Sequence, residues 1–181
     1  IPTDILIDPA LVENGASPTH VYWSTSGNDY ACPSSPNARA LDLRVPALAD
    51  LAADTPVELS FATMFDIEWE FDYGFVMVTT DDGQTYTALE SEEGFTTPAT
   101  TNPNNNVCHA TYGNGITGTT QSYEDGTSDI DRLVGNAPEN DGFATDRYDL
   151  TAYAGQDNVV IRFGYVTDVG LAEQGWFIDD V

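Results

Sequence analysis

Residues 158–181 read NVVIRFGYVTDVGLAEQGWFIDDV and carry the fold decision. The first part alternates without a break. Val159, Ile161, Phe163 and Tyr165 fall on one face, and Val160, Arg162, Gly164 and Val166 on the other. A side-chain period of two is the signature of a strand. Asp168 to Gly175 is rich in turn formers, and WFIDDV then starts a second strand. The simplest reading is a hairpin in the middle of a β-sandwich. Asp179 and Asp180 are adjacent on that last strand, so they point to opposite sides. A carboxylate turned inward needs a partner.

The same period recurs upstream. Val57, Leu59, Phe61, Thr63, Phe65 and Ile67 share one face of a strand whose other face becomes acidic towards Asp66 and Glu68. Residues 69–71 read as a tight connection, and residues 72–80 (DYGFVMVTT) as the next strand. Asp81-Asp82-Gly83 is a turn in which Gly takes positive φ, and residues 84–89 return. Shorter strands are expected at residues 20–23 (HVYW), 38–45 (ARALDLRV) and 146–150 (DRYDL), with room for a helical turn in 46–56 and in 151–155. Residues 1–19 read as a lead-in or edge segment. Residues 90–145 are dominated by Asn, Thr, Gly and acids and read as a long, loop-rich insertion. With no long helix and seven or more strands, the expected fold is a single all-β domain over 1–181, a jelly-roll β-sandwich of two antiparallel sheets.

The chain has 181 residues, enough for a sizeable core, and a formal net charge of −25 from 30 acids against 5 bases, all Arg. A field of that sign repels nucleic acid and anionic membranes, so both are poor partners, no nucleic acid and no membrane insertion are expected, and no apolar run approaches a membrane span. Two origins of the acidity stand side by side: a whole surface adapted to salt, or several cation sites. Cys32 and Cys108 have no zinc-type spacing, and an even count in an acidic β-rich chain favours one disulfide over two free thiols. Starting at Ile1 without Met and stopping in a strand, the sequence is expected to be a segment of an exported, extracellular protein.

Catalytic signatures are missing. HExxH and G-x-S-x-G do not occur, and His20 and His109 each lack a second His at i+4. Cys108 and His109 are neighbours in sequence, a poor arrangement for a nucleophile and its base. Carboxylate pairs of glycosidase type carry no information in a chain so full of acids. Residues 125–136 fail as an EF-hand, with Ile130 at position six and Asn136 at position twelve.

A cation site is the stronger candidate. Asp66 and Glu68 share a strand face, and a short reversal brings Asp72 beside them. Asp168 opens the C-terminal loop, and Asp179 and Asp180 close the chain. If the two expected hairpins are neighbours, these six acids can converge on Ca2+, which takes oxygen ligands only. The competing reading makes each a turn former or a solvated charge. Among Trp23, Trp69 and Trp176, Trp69 lies between two glutamates and is the candidate for aromatic contact with a ligand; core packing is the commoner fate of such residues.

Four segments in order, DIEWEFDYGFVMVTTDDGQTY, NGITG, DLTAYAGQDNVVIRFGYVTD and GWFIDDV, resemble the jelly-roll accessory domain of immune inhibitor A type secreted metalloproteases, which is distantly similar to MAM domains. The similarity spans roughly residues 28–181. It implies a noncatalytic extracellular sandwich with structural calcium, beside a zinc protease domain, partnered by neighbouring domains of the same polypeptide and by protein or polysaccharide substrate. The extreme acidity and the Cys-bearing loops depart from that pattern. A carbohydrate-binding module on the same sandwich is the alternative.

Overall fold

The computed structural model describes residues 21–24, 32–34, 39–120, 143–171 and 173–181. Among the described residues eleven strands run in chain order: β1 Tyr22–Trp23, β2 Arg39–Arg44, β3 Glu58–Ile67, β4 Tyr73–Thr79, β5 Thr87–Ala88, β6 Thr96–Thr97, β7 Gly115–Ile116, β8 Gly118–Thr119, β9 Ala144–Asp149, β10 Val160–Val166 and β11 Gly175–Asp179. The described residues also hold a short helix, α1 (Val107–Tyr112), and two 3-10 turns at Pro46–Asp50 and Thr151–Tyr153. The strands form two antiparallel sheets. The first has the order β1-β11-β3-β8, with β9 also on β3; the second has β2-β10-β4-β7-β6, with β5 also on β4. This is an all-β sandwich.

The alternating pattern sets the core. Phe61, Phe65 and Ile67 of β3, Val76 and Val78 of β4, Ile161 and Phe163 of β10 and Trp176 of β11 pack in one buried cluster between the sheets. Phe61 meets Phe163 edge-on with centroids 5.2 Å apart. Trp176 is fully buried and donates its indole N–H to Thr63 Oγ1 at 2.9 Å. Gly74 lies over that indole, and a Cβ there would come within 2.9 Å of Trp176 Cε3.

The two expected hairpins are not hairpins. β3 and β4 belong to different sheets, and so do β10 and β11. Each pair is an arch that crosses the core. The arches lie side by side, because β3 pairs with β11 and β4 with β10. Period two reports which side of a strand is buried; it is the same for a hairpin and for an arch.

The segment expected to be loop insertion also differs. Residues 90–120 hold β6, α1, β7 and β8 and place Phe95 and Ile116 in the core. Two-residue strands are too short to show a period. α1 covers the outer face of the second sheet, where Tyr73, Phe75, Met77, Cys108 and Val166 form a second cluster. Cys32 and Cys108 are joined in a disulfide across 76 residues of sequence. Closing a loop of that length stabilises by about 4 kcal/mol in the chain-entropy account. The lead-in 1–19, most of the loop 25–37 and the rejected EF-hand stretch lie outside the described residues. No helix among the described residues is long and apolar enough to cross a membrane.

Candidate metal centre at the arch end

Both arches turn over at the same end of the sandwich. In the first, the N–H groups of Phe71 and Asp72 both donate to the Glu68 carbonyl, at 3.3 and 3.1 Å. Glu70 takes a left-handed conformation (φ 64°), unusual for a residue with a Cβ. Its neighbours hold it there. The Glu70 N–H donates to Thr117 Oγ1 at 2.8 Å, and the Thr117 hydroxyl donates to the Glu68 carbonyl at 3.1 Å. The Asn104 and Asn106 amides donate to the carbonyls of Glu70 and Phe71. The Asn-rich run that reads as loop therefore satisfies the backbone of this turn.

Register does the rest. Val166, the last residue of β10, pairs with Tyr73, the first of β4, so Asp168 just beyond β10 arrives beside Asp72 just before β4. The Asp168 N–H donates to Asp72 Oδ1 at 2.8 Å. One carboxylate oxygen each from Glu68, Asp72 and Asp168 falls within 4.8 Å of the others. Glu68 and Asp72 are buried and Asp168 is half-buried.

Asp72 is the telling member. It is 0% exposed, and its Oδ2 has no hydrogen-bond partner. Burial, reinforced by the negative charges of Glu68, Asp168 and Glu173, pushes its pKa up to about 7 against the pull of the Asp168 amide. A carboxylate in this position is strongly disfavoured as an anion without a counter-charge. Three carboxylates around one point, with Asp72 Oδ2 buried and unused, match the oxygen-only ligand demand of a hard dication such as Ca2+.

The other acids named from sequence lie elsewhere. Asp66 is buried on β3, in register with Gly175 of β11 and Thr119 of β8, and is not in the three-carboxylate group. Asp179 is in register with Ala62, about 13 Å further along β11 at the usual strand rise, and Asp180 follows it at the exposed far end. They are separated from the cluster because β11 runs away from the arch rather than back to it. Asp81 serves its turn, accepting from the Thr85 N–H and hydroxyl at 2.9 and 2.7 Å. Trp69 is half-buried and packs against the main core.

Two buried polar groups escaped sequence reasoning. Asp146 on β9 accepts from the hydroxyls of Ser91 and Tyr148, both at 2.6 Å, and from the Arg147 N–H at 2.9 Å. His109 in α1 stacks on Tyr73 at 4.1 Å, with Nε2 2.9 Å from the Thr97 carbonyl. Nothing in DRYDL or VCHATY marks either as buried.

No protein-family model matches the chain, and no curated protein matches it either.

Proposed function

We propose that this chain is a noncatalytic accessory sandwich of an extracellular protein, whose arch end is locked by one calcium ion held by Glu68, Asp72 and Asp168. The observation that carries the reading is the Asp72 carboxylate, fully buried, with one oxygen unused and two further carboxylates beside it. Glu68 and Asp72 come from one arch and Asp168 from the other, so an ion here ties the two arches together, and its binding free energy adds to the stability of the fold. The sequence resemblance supplies the larger setting, a place beside a zinc protease domain of a secreted metalloprotease. The carbohydrate-binding alternative has less support. Trp176 is buried, Trp23 is stacked on Phe177, and Trp69 packs on the core, so these indoles offer no flat exposed platform.

The test is thermal melting with chelator and with added calcium. At a hundredfold excess over Kd, calcium is expected to add about 2.7 kcal/mol. Asp72→Asn and Glu68→Gln are each expected to lose that response. An unchanged melting temperature on chelation, or a full response in both variants, rules the site out.

A further inference from the structure

Beside the three carboxylates the arch end opens into a cavity of about 290 Å3. Phe71, residues 104–106 and Val107 form one wall; Val166, Thr167 and Asp168 form the other. Asp168 thus belongs both to the wall and to the carboxylate cluster. The rim is apolar. Phe71 and Val107 are 37% and 73% exposed, and Val169 and Leu171, one and three residues beyond Asp168, are 80% and 49% exposed. Only two other large apolar side chains among the described residues are exposed, Leu43 and Val181. Apolar side chains gathered around one opening mark an interaction site more often than scattered ones do.

The chemistry of the walls selects the occupant. No basic residue among the described residues lines the cavity. Asp168 lines it, Glu70 precedes Phe71, and Glu173 lies two residues beyond Leu171. Even with a dication on the cluster, this mouth stays negative, and an acidic or phosphorylated ligand is repelled. The Asn104 amide is engaged by the Glu70 carbonyl. Asn106 gives its amide to the Phe71 carbonyl, and its Oδ1 accepts from the Cys108 and His109 N–H groups. Two of the three asparagine amides on the wall, those of Asn104 and Asn106, are engaged in holding the turn, which leaves little to read sugar hydroxyls, and Phe71, Val107 and Val166 give the lining an apolar share. At this volume the cavity lies at the small end of ligand clefts, which begin at about 300 Å3. It has room for one side chain.

We propose that the arch end docks a protein segment that seats a single aliphatic or aromatic side chain in this cavity, flanked by Lys or Arg facing Asp168, Glu70 and Glu173. The proposal deepens the accessory-domain reading and rests on it, since it names the kind of surface such a domain recognises.

The test is an amide NMR titration of the disulfide-intact, calcium-loaded protein with capped tripeptides at millimolar concentration. Lys-Leu-Lys is expected to give saturable shifts at the amides of Phe71, Val107 and Val169. Glu-Leu-Glu and Lys-Ser-Lys are expected to bind at least tenfold more weakly. Val107→Ser, a change at an exposed position, is expected to weaken Lys-Leu-Lys at least tenfold without moving the melting temperature. No saturable shift, shifts elsewhere, equal binding of the three peptides, or preference for a neutral methyl glycoside overturns the proposal. If chelation leaves melting unchanged while Lys-Leu-Lys still binds at these amides, the calcium reading fails and the docking site stands. If calcium stabilises and no peptide binds, the docking site alone fails.

Discussion

Asp72 and Asp146 are both 0% exposed, and burial raises the pKa of each, to about 7 and about 6. Their surroundings differ. Asp146 has three donors on its carboxylate: two hydroxyls and a backbone N–H. Asp72 has one backbone N–H, an oxygen with no partner, and two carboxylates close by. Burial alone therefore does not identify a metal site. Donor count and neighbours together separate the two: the protein satisfies the Asp146 carboxylate as part of its framework, and leaves Asp72 Oδ2 without a donor among further carboxylates, where the proposed calcium would sit.

The sharpest way to break this contrast is to delete both carboxylates in the presence of chelator. Asp146→Ala strands three donors, among them the fully buried Tyr148 hydroxyl, and is expected to cost about 3 kcal/mol. Asp72→Ala strands one N–H but also removes a disfavoured charge, and is expected to change stability by less than about 1 kcal/mol. Urea unfolding of the two variants measures the difference. Equal losses would put Asp72 in the framework with Asp146.

Titration probes the same contrast with a smaller effect. Asp146 binds its proton more tightly in the folded protein, about 6 against an ordinary 3.8. Its contribution is therefore fully present below about pH 4, declines as pH rises through 6, and stays lost above. Asp146→Asn is expected to flatten that part of the stability profile, read as denaturant midpoints between pH 4 and 7. A variant profile parallel to that of the parent counts against the assignment.

The smallest expected effect is that of salt. With a net charge of −25, stability is expected to rise between low and molar salt as exposed carboxylates are screened. The fully buried Asp146 lies outside that effect, so Asp146→Ala and the parent are expected to gain alike. A melting temperature that is unchanged or lower in molar salt would remove the repulsion account of the charge.

Much of the sandwich was legible because a half-buried strand writes its environment into every second residue. The inward rows of β3 and β10 are the rows that alternate in the sequence, and Phe61, Phe65, Ile161 and Phe163 lie in the core as the pattern requires. The Asp81 turn and the pairing of Cys32 with Cys108 were likewise readable from local chemistry and count. The structure of residues 90–120 was not. Its strands are two residues long, and the Asn side chains that mark it as loop are occupied by carbonyls from the arch.

By itself, then, the sequence determined the all-β class, the buried faces of the long strands, and a short reversal that brings Glu68 and Asp72 close together. Only the tertiary structure decided that the two expected hairpins are arches between sheets, that Asp168 joins Glu68 and Asp72, and that Asp179 and Asp180 do not. The reason is physical. Alternation records which side of a strand meets the core, and that side is the same whichever neighbour the strand hydrogen-bonds. The neighbour is chosen by pairing and register across the whole chain. It is the register of β10 on β4 that carries Asp168 to Asp72, whose Oδ2 is buried without a donor.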